Sequence, residues 1–178
     1  MRGWLILLAG AATAVAGGLL SKCEQTPTTT VTLRLDDVWQ FAQPAMPMLV
    51  EVRGRPYPAD QAAVEAMVTE AMTRAVTWHA RPRFTAEPAA AAPSDMRVVM
   101  TFNPPPGAGG TGNCAGTVNG SAEDGSGTVR MLATFCSGSR VLANVEGRIG
   151  SVGNPEDGRA EALVRQITLD MFQTRTTP

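Results

Sequence analysis

Histidine, lysine and tyrosine each occur once in this 178-residue chain, as His79, Lys22 and Tyr57, and aromatic residues make up 5% of it. So few aromatics leave little material for a platform that stacks bases or sugars. A single histidine with no partner at ligand spacing gives no metal site. It also gives no Ser-His-Asp triad, because no serine sits in a G-x-S-x-G elbow. Beyond Cys23 there are 13 arginines against 16 acidic residues, a net charge of −3. A nucleic-acid binder carries a basic excess or stripe, so no nucleic-acid partner is expected. The three cysteines contain no C-x-x-C spacing, the arrangement that activates a thiol for exchange. No catalytic residue, metal ligand or cofactor motif is therefore expected, and the cofactor expectation is none.

What the chain does have begins at its N-terminus. Arg2 is followed by an uncharged run over residues 3–21, rich in Leu, Ala and Gly, and then by Lys22 and Cys23. A basic start, an apolar segment and a processing point resemble a bacterial export signal. Leu19-Leu20-Ser21-Lys22-Cys23 resembles the lipobox of bacterial lipoproteins, although Lys22 stands where that pattern has a small residue. The resemblance implies that Cys23 becomes the lipidated first residue. Two other readings stay open. Ala14-Val15-Ala16 has the small-x-small form of an ordinary cleavage site, and the run is near the length of an uncut membrane anchor. All three place the body outside the cytoplasm, in the periplasm or cell envelope, and the lipidated and uncut readings make a membrane its partner through an N-terminal lipid or anchor.

Residues 1–23 are thus a signal, 24–47 read as a tether, and 48–178 as one domain, long enough for a real core. Within the tether, Val31, Leu33 and Leu35 alternate with polar residues, a short strand signal, and Trp39 and Phe41 are expected to dock onto the domain. Asp60 is a candidate N-cap. After it, Val64, Met67, Val68, Ala71, Met72, Ala75 and Val76 keep helical spacing. Residues 49–52, followed by a turn over 53–58, and residues 83–87, 97–102, 128–136 and 140–149 read as strands, the last two joined at Ser137-Gly138-Ser139 as a hairpin. Val129, Met131, Ala133 and Phe135 share one face with Val141, Ala143, Val145 and Ile149. The other face, with Arg130, Thr134, Asn144, Glu146 and Arg148, suits solvent. Ala160, Leu163, Val164, Ile167 and Met171 mark a second helix. The expected fold class is α+β, a two-layer sandwich with a mostly antiparallel sheet and two helices on one face.

Cys114 and Cys136 remain as a pair in an exported domain, where disulfides persist, and are expected to be bonded. Gly107 to Gly112 spells G-x-G-x-x-G, but three prolines separate it from the preceding strand and no helical period follows. The dinucleotide fingerprint requires both contexts, so the expectation is a flexible loop stapled at Cys114. His79 is expected to serve a helix end. Asp36-Asp37, Glu123-Asp124 and Glu156-Asp157 read as solvated loop pairs. Arg53, Arg55, Arg81 and Arg83 are the candidate anion-binding residues, since paired guanidiniums can grip phosphate or carboxylate. The leading functional expectation is a non-enzymatic envelope module that binds a protein or cell-wall polymer. The alternative is an envelope-polymer hydrolase whose carboxylates are brought together by folding.

Overall fold

The helix that follows Asp60 carries the longest apolar stripe of the body, and it places the rest of the fold. In a computed structural model, residues 26–78, 83–122 and 127–173 are described. Helix α2 spans Gln61–Ala75 and buries Val64, Val68, Ala71, Met72 and Ala75. Asp60 takes the N-cap position with an extended backbone, but its side chain makes no capping bond. Helix α4, Arg159–Phe172, buries Ala160, Leu163, Val164, Ile167, Met171 and Phe172 along a matching stripe.

Both stripes pack on one face of a six-stranded sheet, so the class is α+β with two helices on a single face. The strands are β1 (Thr28–Arg34), β2 (Met48–Arg53), β3 (Phe84–Thr85), β4 (Met96–Phe102), β5 (Val129–Ser137) and β6 (Arg140–Ile149). Their order across the open sheet is β1-β6-β5-β4-β2-β3. The β1-β6, β6-β5 and β5-β4 ladders are antiparallel. Strand β2 runs parallel to both β4 and β3. The chain leaves β2 through α2 before β4 begins, and a crossover of that kind is what parallel neighbours need. Each large apolar side chain removed from water here is worth about 1.5–3 kcal/mol relative to exposure.

The segment read as a tether does more than connect. Strand β1 is hydrogen-bonded along β6 as the sheet's edge. Helix α1 (Val38–Ala42) then buries Val38 and Ala42, and Ala45 follows them into the core. Trp39 docks as expected, with its ring 5.6 Å from that of Phe172 and 5.7 Å from that of Trp78. Phe41 does not dock and stays 44% exposed.

The hairpin forms at Gly138, with one departure from strict alternation. The register shifts between Phe135 and Cys136, so that Phe135 faces Ala143 while Cys136 faces Val141. A bulge of this kind moves the following side chains to the opposite face. Leu142 therefore joins the main core, and Val141 packs with Val99, Cys114 and Cys136 on the other side. Among the described residues no helix is long and apolar enough to cross a membrane.

Candidate functional site

The sheet face away from α2 and α4 is only partly open. A short helix α3, Gly110–Cys114, lies across it. It takes in the second half of the G-x-G-x-x-G string, residues 110–112, so that half is a packed cover and not a flexible loop. Five residues are too few to show a helical period, and tertiary contacts hold the turn together. Gly110 sits so close to the sheet that a Cβ there would lie 2.7 Å from Asn144 Oδ1. The Cys114–Cys136 disulfide, with Cα atoms 5.7 Å apart, ties the end of α3 to β5.

Asn113 drives the rest of the attachment. Its side chain is fully buried. The Thr101 hydroxyl donates to Asn113 Oδ1 at 2.7 Å, and Asn113 Nδ2 donates to Val99 O at 3.1 Å and to Thr134 Oγ1 at 3.0 Å. Thr134 Oγ1 donates to Asn144 Oδ1 at 2.8 Å, and Asn144 Nδ2 donates to Thr32 Oγ1 at 2.7 Å. The chain of bonds crosses β4, β5, β6 and β1. This is why Thr134 and Asn144, expected to face solvent, are buried: α3 covers them, and their polar groups are satisfied by one another.

Two guanidiniums clamp the same cover from β2 and β4. Arg53 Nη1 donates to Asn113 O at 3.3 Å and Val118 O at 3.1 Å. Arg97 Nη2 donates to Cys114 O at 2.6 Å and Nη1 to Gly138 O at 3.1 Å. Glu51 lies between them, paired with Arg53 through Oε2 and 2.7 Å from Arg97 Nε through Oε1.

Beyond this cover, the outer face opens as a trough of about 400 Å³. Its floor is two cross-strand rows. Thr28, Arg148 and Arg130 form one, and Thr30, Glu146 and Leu132 the other. Pro104, Pro105, Gly107 and Ala108 form one wall. Arg130 is tied to that wall, because its Nη2 donates to Pro104 O at 2.8 Å and its backbone N–H donates to Asn103 Oδ1 at 3.0 Å. Arg148 and Glu146 are exposed. Among the described residues, neither Arg130 nor Arg148 is in an ion pair.

The candidate anion-binding arginines do not converge as a group. Arg53 is engaged with Glu51 and the cover, and Arg55 Nη1 donates to Ala59 O at 2.7 Å. Arg83 is exposed beside β3, and its carbonyl accepts from the Met48 N–H at 2.9 Å. Arg81, His79, Cys23 and the Glu123-Asp124 pair lie outside the described residues. Of the other acidic pairs, Asp36 and Asp37 form the turn before α1. Asp157 pairs with Arg159, whose hydrogen bonds hold the Asp157 carboxyl below the usual aspartate range. Among the described residues, no group of three or more His, Cys, Asp or Glu could hold a metal ion.

The arginines that do converge, Arg130 and Arg148, were assigned to the solvent face by the alternation of the hairpin. Their pairing depends on the register, and the register depends on the bulge at Phe135 and Cys136. Compared with models of known protein families, with curated proteins and with solved structures, the chain matches none.

Proposed function

We propose that this chain is a small exported envelope protein, held at a membrane by its N-terminus, whose body binds a partner through the outer-face trough. The observation that carries the reading is the pair Arg130 and Arg148, facing one another on an open floor and, among the described residues, without a carboxylate partner. Like charges set directly opposite destabilise a ladder, and recognition of an anion offsets that cost. Among the described residues the trough has one carboxylate, Glu146, next to two guanidiniums. That composition favours recognition over the paired-carboxylate chemistry of a glycoside hydrolase. The Cys114–Cys136 bond supports an oxidising compartment. The Arg2 start, the apolar run and Cys23 support delivery there with a lipid or an anchor.

The test is incorporation of labelled fatty acid by cells making the chain, compared with Cys23→Ala, together with protease accessibility of the body from the outer side. Label that depends on Cys23 and an externally accessible body are the expected results. A body shielded within the cytoplasm would overturn the reading.

A further inference from the structure

We infer that the trough is a phosphate-ester site, with Arg130 and Arg148 as the anion grip and the Pro104–Ala108 wall against the carbon body of the ligand. The inference rests on the reading of the trough as a binding site and names what it binds.

Arg130 and Arg148 occupy opposite positions on neighbouring strands, so their Cβ atoms stand about 4.5–5.5 Å apart. Two guanidiniums at that separation can address different oxygens of one tetrahedral anion, whereas a planar carboxylate is matched by a single fork. Arg130 uses Nη2 on Pro104 O, which fixes its plane and leaves its other donors for a ligand. Thr28 continues the same row on β1 and adds a hydroxyl. One row further on, Leu132 is buried and Thr30 is exposed, while Pro105 and Ala108 flank the opening. The apolar side chains of Pro105 and Ala108 on the wall suit a short carbon chain esterified to the phosphate. Glu146 is the one carboxylate at the floor among the described residues. It opposes the anion and suits a ligand hydroxyl, as on glycerol.

The chain itself points to where such a group is met. Thr28 lies five residues after Cys23, a stretch that spans at most about 18 Å. If Cys23 carries the lipid, Thr28 at the trough's edge stays within about 18 Å of the lipid surface, and the phosphate esters nearest to it are lipid head groups. Free glycerol phosphate is the second source of the same chemistry.

The experiment is an NMR titration of the full-length chain in micelles of an uncharged sugar detergent. One arm adds glycerol phosphate, one a short-chain phosphatidylglycerol below its own micellar concentration, and one acetate. Saturable shifts of the Thr28, Leu132 and Gly147 amides are expected with both phosphate esters. Tighter saturation by the lipid than by glycerol phosphate assigns the head group as the source, and the reverse order assigns the free ester. Arg148→Gln is expected to weaken both at least tenfold, Arg148→Lys less, and Glu146→Gln to strengthen them. These side chains are exposed, so melts of the variants are expected to fall no lower than the wild type, and Arg148→Gln, which removes the facing like charge, to lie at or above it. Absence of saturable shifts with either ester, equal saturation by acetate, or wild-type affinity in folded Arg148→Gln would overturn the inference. A chain that binds glycerol phosphate but carries no fatty acid keeps the site and loses the lipid tether. A lipid-bearing chain whose trough binds neither ester keeps the tether and loses the site.

Discussion

Arg130 and Arg148 stand directly opposite each other across the β5–β6 ladder, and Arg130 is fastened to the wall of the trough through Pro104 O at 2.8 Å. The cover over the sheet and the charged floor beside it are therefore one unit. What holds the cover shapes the floor, and the stability of the 104–122 segment bears on the trough as well as on folding.

Asn113→Ala tests that hold. It removes the acceptor for the Thr101 hydroxyl and the donors to Val99 O and Thr134 Oγ1 at a fully buried position. A buried polar group left unpaired costs about 1–3 kcal/mol, so a clear fall in the urea midpoint is expected. A midpoint equal to the wild type would show that this side chain does not anchor the cover.

Replacing Cys114 and Cys136 together by serine removes a crosslink that spans 22 residues of sequence. Loss of a native bond in a small exported domain costs about 2–5 kcal/mol. The midpoint of the oxidised wild type is expected to drop by a comparable amount on reduction. If reduction leaves the melt unmoved, the staple contributes nothing to the fold.

Gly147 has no side chain because α4 occupies its space. A Cβ there would lie 2.7 Å from both Leu163 Cδ1 and Ile167 Cδ1. Gly147→Ala is expected to cost about 1–3 kcal/mol by overpacking, and Leu163→Ala about 2–5 kcal/mol by leaving a cavity. The double variant should be more stable than the sum of the two losses implies, since the new methyl enters the space the leucine vacates. Strict additivity in chemical denaturation would place α4 elsewhere.

The one tyrosine provides a pH probe. Tyr57 is buried, and burial first, then the nearby Glu156 charge, raise its phenol above the ordinary value of 10.0. Its folded form holds the proton at a pH where the unfolded chain has lost it, so stability is intact below about pH 10 and falls as pH rises beyond that. Ultraviolet titration of the tyrosinate is expected to show a midpoint above that of the denatured chain, and Tyr57→Phe to flatten the alkaline limb of stability. A midpoint at or below the denatured value would contradict the burial.

Long apolar stripes were the legible part of the sequence. Val64 to Ala75 and Ala160 to Phe172 each extend over several turns, and the hairpin strands alternate over eight or more residues, so helix and strand periods separate cleanly. Three features were not legible, each for a physical reason. The edge role of β1 depends on pairing with β6, more than a hundred residues away. Helix α3 is one short turn whose stability comes from Asn113, the disulfide and two arginine clamps, all tertiary. The Arg130–Arg148 pair depends on a bulge that shifts register by one residue, and alternation alone cannot place a bulge. Conversely, Arg53 and Arg55 are adjacent in sequence to a turn and looked free, yet folding engages both with carbonyls.

If the trough is where this chain meets its partner, the contact is open to capture in cells. Site-specific photocrosslinking in cells making the chain tests it most directly, with a benzophenone side chain placed at Ala108 on the trough wall and, separately, at Glu70 on the exposed face of α2. An adduct at Ala108 with the mass of a phosphate ester, and none at Glu70, is the expected result. No adduct at Ala108, or the same adduct at both positions, would contradict it.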